Sequence, residues 1–590
     1  MRRFLVGFLA IVGVVAIVTV LGLGGLAYWA VAAARHANPV PGQAILRFAV
    51  HGNPAETEGT SGTVRRLIGG EHVTSLRDVV NALDQARADS RVLGVVIDLS
   101  DAGPSMAAAQ ELRDAVARFR GVGKPAYAFA DSFGETGRSS QAFYLATAFD
   151  QVWLQPAGEV GVTGFALDHP FFADGLKLLG VDPRFGQRQE YKGGIDMFVA
   201  NGLSPPLKAS LQGLIDDLFG QLVDGIATSR KLKPEDVRAL IDKAPLFADE
   251  AQRAGLIDKI GYADQVSAEM RRRTTESASF VGLDTYLTDV GPPNQRGDKI
   301  ALIYGVGPVV RGGDDDDGGL GGTDTLSADA VARAFRSAAA DHDVRAIVFR
   351  VDSPGGSYVA SDTVWREVKR ARSAGKPVVA SMGAVAASGG YFVSMAADRI
   401  IADPGTLTGS IGVYSGKFVL SGLWDKLGVH WDELQAGANA GMNSANHDFT
   451  PDQWQRFQAS LDRIYGDFTR RVADDRKIPA DKLDAVTRGR VWTGRQAVGL
   501  GLADATGSFN DAVTAAKELA KLAPDAPIKL EQFPPETTTI ERLFKLLGDV
   551  DRTAVTLTTV ARLGDILAPA LRRIEALLHA DTLSAPLDVH

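Results

Sequence analysis

Cysteine is absent from this 590-residue sequence, and its absence excludes several kinds of chemistry. Without cysteine the chain forms no disulfide bond, offers no thiol nucleophile and builds no thiolate metal site. An excess of basic residues is also missing, because the formal net charge is -8 at pH 7. A nucleic-acid-binding protein normally carries a basic face, so the composition argues against nucleic acid as a partner. The chain is too long for one hydrophobic core, and several domains are expected.

Long apolar runs are scarce as well, with one exception at the N-terminus. The basic pair Arg2–Arg3 precedes an uncharged run, Phe4–Ala34, that exceeds the roughly 20 residues needed to span a bilayer as a helix. It also exceeds the roughly 7–15 apolar residues of a cleaved signal peptide. We therefore predict that residues 1–37 form an N-terminal transmembrane signal anchor, with the bulk of the chain outside the cytoplasm. The alternative is a long signal peptide cut near Ala33 or Ala37.

A long internal repeat organises the rest of the chain. The apolar run Val92–Leu99 resembles Val344–Val351, which follows 252 positions later, and each run comes after an amphipathic helical stretch. Further on, Asp150–Gly164 resembles Asp398–Gly412 at an offset of 248. Apolar strands that alternate with helices are typical of a mostly parallel α/β sheet. The sequence therefore predicts an α/β protein made of two tandem repeats.

Proline, glycine and polar clusters mark the boundaries of these units. We assign residues 38–290 to the first repeat, 298–525 to the second and 526–590 to a C-terminal helical tail. Amphipathic segments of the tail are expected to pack on a partner subunit or to rest on a membrane surface. The polar run Arg311–Asp324 has no calcium-binding helix–loop–helix spacing, so a solvated loop is a better interpretation than a Ca²⁺ site.

The most informative short segment is Ser381–Tyr391, in which small residues flank Ser388 on both sides. The segment follows a predicted strand at Pro377–Ser381 and precedes a helix-like stretch. A serine at this junction lies at a helix N-terminus, where amide donors and the helix dipole favour developing negative charge. Ser388 is thus a candidate nucleophile, and the amide of Gly389 is a candidate donor to an oxyanion. The simpler interpretation is a serine that caps a helix.

Two further segments accompany the candidate nucleophile. Asp352–Ser357 ends the preceding predicted strand, and its consecutive glycines, Gly355 and Gly356, free backbone amides to form an anion-binding concavity. Downstream, Thr408–Val413 is small, turn-rich and suited to lining a substrate groove. A plain Pro-Gly turn and a strand-connecting loop are the simpler interpretations of these two segments.

In this order and spacing, the strings DSPGGS, ASGGY and TGSIGV resemble the signal peptide peptidase A family of Ser/Lys proteases. The resemblance covers about residues 40–525, and the duplicated length and N-terminal run are similar to the long, two-domain form of the family, often called protease IV. It implies that each repeat has the Clp-protease/crotonase fold. It also implies that the base is a lysine whose amine is kept neutral by burial.

The long form of the family takes its lysine from the first repeat, and this sequence offers Lys192 there. Aligning the glutamine-containing loops of the two repeats sets Lys192 opposite Ala438. The first repeat lacks a Gly-Gly pair at Ser100–Ser105 and at Arg138–Phe143, its counterparts of the oxyanion and nucleophile segments. One repeat has therefore kept the lysine and the other the serine. Without the resemblance, Lys192 would be interpreted as a surface lysine.

The resemblance implies a membrane-anchored serine endopeptidase of the bacterial inner membrane, with its catalytic domain on the periplasmic side. Its substrates would be cleaved signal peptides and other short apolar peptides, attacked through an acyl-enzyme. Ser388 and Lys192 would form the catalytic dyad, and Gly355, Gly356 and Gly389 would supply oxyanion and substrate contacts. The chemistry needs no metal ion or organic cofactor, and the family's homotetramer is the expected assembly.

Three alternatives stay open. The base could be a histidine brought in from elsewhere, with His430 and His447 as the candidates. Another acyl-transfer enzyme of the crotonase fold, such as an acyl-CoA hydratase, would predict a soluble chain with acidic catalytic residues. A proteolytically weak membrane scaffold would keep the fold without a working dyad.

Overall fold

The computed structural model describes residues 40–56, 74–134, 139–312, 325–534 and 583–584. The predicted anchor at 1–37, most of the Asp-rich run and most of the C-terminal tail lie outside the described residues. Among the described residues, no helix combines the length and the apolar character that a membrane span requires.

Strands and helices alternate along both halves of the chain. The first half contains, in order, β1 Ala44–Ala49, α1 Leu76–Ala88, β2 Val92–Asp98, α2 Met106–Arg120, β3 Ala126–Ala130, α3 Ser139–Ala146, β4 Gln151–Leu154, β5 Glu159–Val160, α4 Ala173–Leu179, β6 Asp182–Arg188, α5 Asp196–Val199, α6 Pro205–Arg230, α7 Pro234–Ile241, β7 Leu246–Phe247, α8 Ala248–Arg253, β8 Lys259–Ile260, α9 Ala263–Arg273, β9 Ser279–Val281 and α10 Leu283–Val290. The second half contains β10 Asp298–Val306, β11 Val309–Val310, β12 Leu326–Ser327, α11 Ala328–Ala340, β13 Val344–Ser353, β14 Gly355–Gly356, α12 Tyr358–Ser373, β15 Val378–Ala387, α13 Gly389–Ser394, β16 Arg399–Ala402, β17 Leu407–Gly409, β18 Val413–Val419, α14 Ser421–Leu427, α15 Pro451–Arg476, α16 Ala480–Val486, β19 Val491–Thr493, α17 Gly494–Gly499, β20 Ala505–Thr506, α18 Phe509–Leu519, β21 Ile528–Gln532 and β22 Leu583–Ser584.

Each half builds its own mostly parallel sheet. The first sheet has the strand order β8-β4-β3-β2-β1-β9, with parallel pairing throughout. The second has the order β19-β17-β15-β13-β10-β21, with β16 and β20 branching from β15 and an antiparallel β17–β19 pair at the edge. All five residues of β3 are buried, as expected for a parallel strand covered on both faces. The predicted α/β class is confirmed.

The two halves match element by element. Helices α1 and α2 begin 252 positions before α11 and α12, and β4 begins 248 positions before β16. The offset falls to 246 for α6 against α15 and for α9 against α18, because the first half carries extra residues between its elements. The second sheet extends past the predicted boundary at residue 525, since β21 pairs in parallel with β10. The predicted helical tail therefore begins with a strand.

Serine caps start the matching helices of both halves. The hydroxyls of Ser75, Ser105, Ser327 and Ser357 accept the amide N–H three residues on, at the N-termini of α1, α2, α11 and α12. A capping serine satisfies one of the free amides at a helix start and typically stabilises the helix by about 1 kcal/mol. The same local chemistry therefore fixes the same four helix starts.

Helices α1, α2 and α6 of the first half pack on the carboxyl end of the second sheet. The Arg77 guanidinium lies 3.5 Å from the ring centroid of Phe509, which begins α18. The Gln110 side chain accepts the Gly405 N–H at 2.7 Å. These contacts make the two halves one packed unit around the strand ends of the second sheet.

A buried cluster of charged groups lies at the centre of this packing. Arg350 donates to the Glu56 carboxylate at 2.7 and 2.8 Å and lies 2.6 Å from Glu111. Burial, followed by the charge of Glu56, raises the pKa of Asp352 to about 7. Burial and the charge of Glu111 raise the pKa of Asp403 well above its ordinary range. One guanidinium from the second half thus compensates two glutamates of the first.

We predict that Arg350→Ala lowers the free energy of unfolding by about 3–5 kcal/mol, because it leaves Glu56 and Glu111 buried without a counter-charge. Arg345→Ala on the same strand is the matched control. Its side chain is 49% exposed and 3.9 Å from Asp298, so we expect a loss below about 1 kcal/mol. Urea denaturation followed by tryptophan fluorescence measures both. Equal losses in the two variants would contradict a stabilising role for the cluster.

Candidate active site

Ser388 occupies the sharp turn between β15 and α13. Strand β15 extends well past Ser381, the end of the predicted strand, and delivers the chain directly to Ser388. The backbone there has φ 55° and ψ -112°, a conformation that costs a non-glycine residue on the order of 1–3 kcal/mol. The Ser388 N–H donates to the Gly409 carbonyl at 2.8 Å and helps to hold the turn. Its hydroxyl makes no capping bond to α13, so the simple helix-cap interpretation is wrong.

Lys192 reaches Ser388 from the other half of the chain. The Lys192 Nζ lies 2.7 Å from the Ser388 Oγ, 2.8 Å from the Ser410 carbonyl oxygen and 2.9 Å from the Ser410 Oγ. The Ser388 residue is 0% exposed and Lys192 is 2% exposed. The structure therefore brings together the two residues that the sequence placed in different repeats.

Burial sets the protonation of the lysine amine. Desolvation lowers the pKa of Lys192 well below the ordinary lysine value. A neutral amine has two N–H donors and one lone pair. The two oxygens of Ser410 can take both N–H groups, which leaves the lone pair for the hydroxyl proton of Ser388. The arrangement can thus act as a base toward Ser388.

Glycines make room for the aliphatic part of Lys192. A Cβ added to Gly489 would lie 2.7 Å from the Lys192 Cβ, and one added to Gly412 would lie 3.0 Å from its Cδ. Such contacts are too close for a real side chain. The lysine stem therefore passes through a slot that only glycine leaves open at both positions.

The loop before Lys192 is gripped by the second half. Glu190 accepts from Arg488 at 2.9 Å, and the Tyr191 hydroxyl accepts from Arg490 at 2.6 Å. The Arg490 guanidinium also lies 4.1 Å from the Tyr191 ring centroid. Just upstream, β6 pairs antiparallel with β18 of the second half. Backbone and side-chain contacts thus aim the lysine across the boundary between the halves.

The predicted oxyanion glycines converge beside Ser388. A Cβ added to Gly389 would lie 2.9 Å from the Gly356 N and 3.1 Å from the Gly355 Cα, so the two segments touch. The Gly389 N–H begins α13 and has no acceptor within its own helix. Gly356 has φ 153°, and a Cβ there would lie 2.2 Å from the Val309 carbonyl oxygen. The Gly355 N–H is already donated to Ser353 at 3.2 Å.

An extended backbone lies along the same glycines. Strand β22 pairs antiparallel with β14, matching Gly355 with Ser584 and Gly356 with Leu583. β14 can therefore receive a second extended chain on its free edge, next to Ser388. This is the geometry by which a sheet edge binds a peptide through its main chain.

The corresponding serine of the first half is engaged differently. The Ser140 Oγ donates to the Gly164 carbonyl and lies 3.0 Å from the Gly164 N, whose N–H it accepts. Among the described residues, no histidine is hydrogen-bonded to Ser388. His447, one of the two candidate histidines, instead contacts Glu433 at 2.7 Å.

Several residues of the site were not predicted to hold the lysine. Ser410 lies within the segment that the sequence assigned to the substrate groove, and the structure shows it against the lysine amine. Arg488, Gly489 and Arg490 form no recognisable motif. Comparison of the halves gives one signal, since their counterparts at 242–244 are Asp-Lys-Ala and lack the glycine.

Comparison with known proteins agrees with this site. The family model of Peptidase family S49 matches residues 118–276 and 370–523, one match in each half. Protease 4 of Salmonella typhi is 33% identical over 460 residues, which cover 76% of this chain and 72% of that protein. Protease 4 of Haemophilus influenzae is 31% identical over 78% of this chain and 76% of its own length.

A plant relative extends the same pattern. The chloroplastic serine protease SPPA of Arabidopsis thaliana is 29% identical over 80% of this chain and 70% of its own length. A solved ClpP1 of Listeria monocytogenes is 13% identical and covers 36% of this chain and 94% of that one, with a TM-score of 0.24, too low to support an argument. The relatives and the family model are decisive: this chain belongs to peptidase family S49 and is a serine peptidase.

We predict that Lys192→Met changes how stability depends on pH. With its pKa lowered in the folded state, Lys192 is neutral there while the unfolded chain still binds a proton, up to a pKa of about 10.4. The stability of the wild type should therefore rise with pH across that window, by up to about 1.4 kcal/mol per pH unit, and Lys192→Met should lack this rise. Urea unfolding at about pH 7 and about pH 9 measures the difference. Lys208→Met, at an exposed position, is the control and should keep the wild-type slope.

Proposed function

We propose that this peptidase uses a Ser388–Lys192 dyad to cleave signal-peptide remnants and other short apolar peptides at the outer face of a bacterial inner membrane. The observation that carries the proposal is the 2.7 Å contact between the Lys192 Nζ and the Ser388 Oγ in a buried site. The fold needs long-range contacts from both halves to make that contact. A structural lysine gains nothing from burial without an acidic partner, whereas a base needs it.

The chemistry follows from the positions of the three groups. Lys192 takes the hydroxyl proton as the Ser388 Oγ attacks the peptide carbonyl carbon. The resulting ammonium gives that proton to the leaving amide nitrogen, the C–N bond breaks and an ester to Ser388 remains. Water then attacks the ester while Lys192 again takes the proton. The carboxylic acid leaves, and the serine hydroxyl is restored.

Backbone amides complete the site. The N–H groups of Gly356 and Gly389 are the proposed donors to the tetrahedral oxyanion, and loss of one such donor typically costs about 10²–10³ in rate. Gly355, whose amide is bonded to Ser353, would contribute by shaping β14 and receiving the substrate backbone. The antiparallel pairing of β22 with β14 supports the binding of substrates as extended strands.

The dyad predicts a specific pattern of activities. On a panel of fluorogenic peptides, we expect Ser388→Ala and Lys192→Arg to lose about 10⁴-fold or more, because the first lacks the nucleophile and the second keeps a protonated guanidinium. Wild-type activity should rise with pH through the lowered pKa of Lys192, since only the neutral amine accepts a proton. Lys208→Arg should retain full activity.

Covalent labelling separates the dyad from its alternatives. A fluorophosphonate should label the wild type but not Ser388→Ala, whereas a catalytically silent scaffold would not label at all. Full activity in folded Lys192→Arg would exclude the lysine as base and would direct attention to the histidines His430 and His447.

The proposed location has its own test. Arg2–Arg3 ahead of the uncharged run Phe4–Ala34 predicts a single-pass anchor with the catalytic part outside the cytoplasm. Protease added to spheroplasts should digest the chain while a cytosolic marker stays intact. The protein should also stay in the membrane pellet after a carbonate wash. Protection from the protease would overturn the topology, and release by carbonate would overturn the anchor.

A further inference from the structure

A cavity of about 460 Å³ opens at the carboxyl end of the first sheet, away from the dyad. Its lining carries an unusual number of carboxylates, among them Asp98, Asp101, Asp131 and Asp264. We call this surface, together with the adjoining start of α8, the first seat. The corresponding surface of the second half, the second seat, is covered by α1, α2 and α6.

The internal repeat gives each residue of the first seat a counterpart in the second. By the offsets at which matching elements begin, the pairs are Ala49 with Tyr304, Asp98 with Arg350, Gln155 with Asp403, Asp249 with Arg495, Ala263 with Phe509 and Asp264 with Asn510. In the second seat these counterparts contact the first half, as Arg350 and Phe509 do. The first seat is the same surface without its occupant.

Exposed apolar groups mark the first seat as incomplete. Phe247 is 65% exposed and Tyr262 is 51% exposed. Their counterparts in the second seat, Thr493 and Ser508, are 0% and 3% exposed. Large exposed side chains that cluster on one surface are typical of an interaction site.

The helices that would fill it exist in the second half. Helices α11, α12 and α15 are the counterparts of α1, α2 and α6, and they expose the equivalent surface. Val359 on α12 is 55% exposed, whereas its counterpart on α2, Ala107, is 2% exposed against the second seat. The described part of the chain thus has one filled seat, one empty seat and one unused set of docking helices.

Charge complementarity links the empty seat to the unused helices. Within the chain, Arg495 of the second seat donates to Asp217 on α6 at 2.8 Å. At the counterpart positions both signs are reversed: the seat residue is Asp249, and the α15 residue is Arg463, which is exposed. Asp249 is 63% exposed and makes an exposed i,i+4 pair with Arg253, which contributes little and leaves its carboxylate accessible.

A second pair follows the same rule. Asn510 of the second seat donates to Asp84 on α1 at 2.7 Å. Its counterparts are Asp264 in the first seat and Arg336 on α11, a carboxylate facing a guanidinium. The Arg336 side chain is 45% exposed and keeps Glu367 as a neighbour at 3.1 Å. Two independent positions therefore place opposite charges across the same hypothetical contact.

We propose that the first seat of one copy binds α11, α12 and α15 of a second copy of this chain. The contact repeats, between copies, the way in which α1, α2 and α6 lie on the second seat within one chain. Because the two surfaces differ, the association is head-to-tail, and it continues from copy to copy until the ring closes. The surface charges select this partner over a second first seat, which would bring carboxylates together.

Cross-linking tests the contact directly, and the cysteine-free chain gives no background. Full-length chains carrying Asp249→Cys and Arg463→Cys, with different tags, are co-expressed and treated in the membrane with a short bismaleimide. We expect a two-chain product that contains both tags, and none from either variant expressed alone, because a head-to-tail contact never joins like positions. Lys477→Cys replaces Arg463→Cys in the matched control, as it lies about 21 Å further along α15.

Charge exchange provides the second measurement. In detergent, Asp249→Arg and Arg463→Asp should each weaken self-association at least about 10-fold by sedimentation, and the double exchange should restore it to within about 3-fold of wild type. A wild type that sediments as a single 62.5 kDa chain at micromolar concentration would overturn the proposal. So would a missing product from the co-expressed pair, or an equal yield from the Lys477→Cys control.

Discussion

A lysine amine that is kept out of water is the constraint on which the rest of this site depends. An ammonium in that position would need a counter-charge, and the described contacts of the Lys192 Nζ are hydroxyl and carbonyl oxygens instead. Two features maintain the arrangement. Glycines 412 and 489 leave the slot for the lysine stem, and Ser410 fixes the amine while the lone pair stays free. Strain at Ser388, and the positive φ of Ser410, are the local costs of presenting both groups to one point.

The packing between the halves supports that constraint from below. Arg350 and its glutamate partners lie on β13 and its neighbours, immediately before the Gly355–Gly356 pair that borders Ser388. The same strand end thus carries the inter-half ion cluster and the start of the oxyanion segment. A shift of α2 relative to the second sheet would move Glu111 away from Arg350 and disturb both. Stability and site geometry are therefore properties of the same contact.

Sequence reasoning went furthest where chemistry is local. The serine elbow, the glycine pair of DSPGGS and the repeat offset all come from short strings, and the structure places Ser388, Gly356 and Gly389 together. Lys192 required the comparison of two halves, because its role depends on a partner 196 residues away. The grip of Arg488 and Arg490 on the lysine loop was missed, since long-range side-chain contacts leave no periodic trace. Ser410 was found as a segment but given a groove-lining role, because only geometry shows which way a hydroxyl points. The strand at Ile528–Gln532 was missed for a similar reason, as a short edge strand adds little to a pattern.

The division of the dyad between two halves has a consequence for how the protein is made. A ribosome completes the lysine-bearing half long before it reaches Ser388, and the serine-bearing half ends more than a hundred residues later. Until α13, β17 and the 488–490 segment have folded onto the first half, the lysine has no oxygen partners and no dry pocket, so its amine remains an ordinary ammonium. The nascent chain is therefore inert toward its neighbours and toward itself. Activity appears in one step, when the last strands of the second sheet are added, and folding itself takes the place of a removable propeptide.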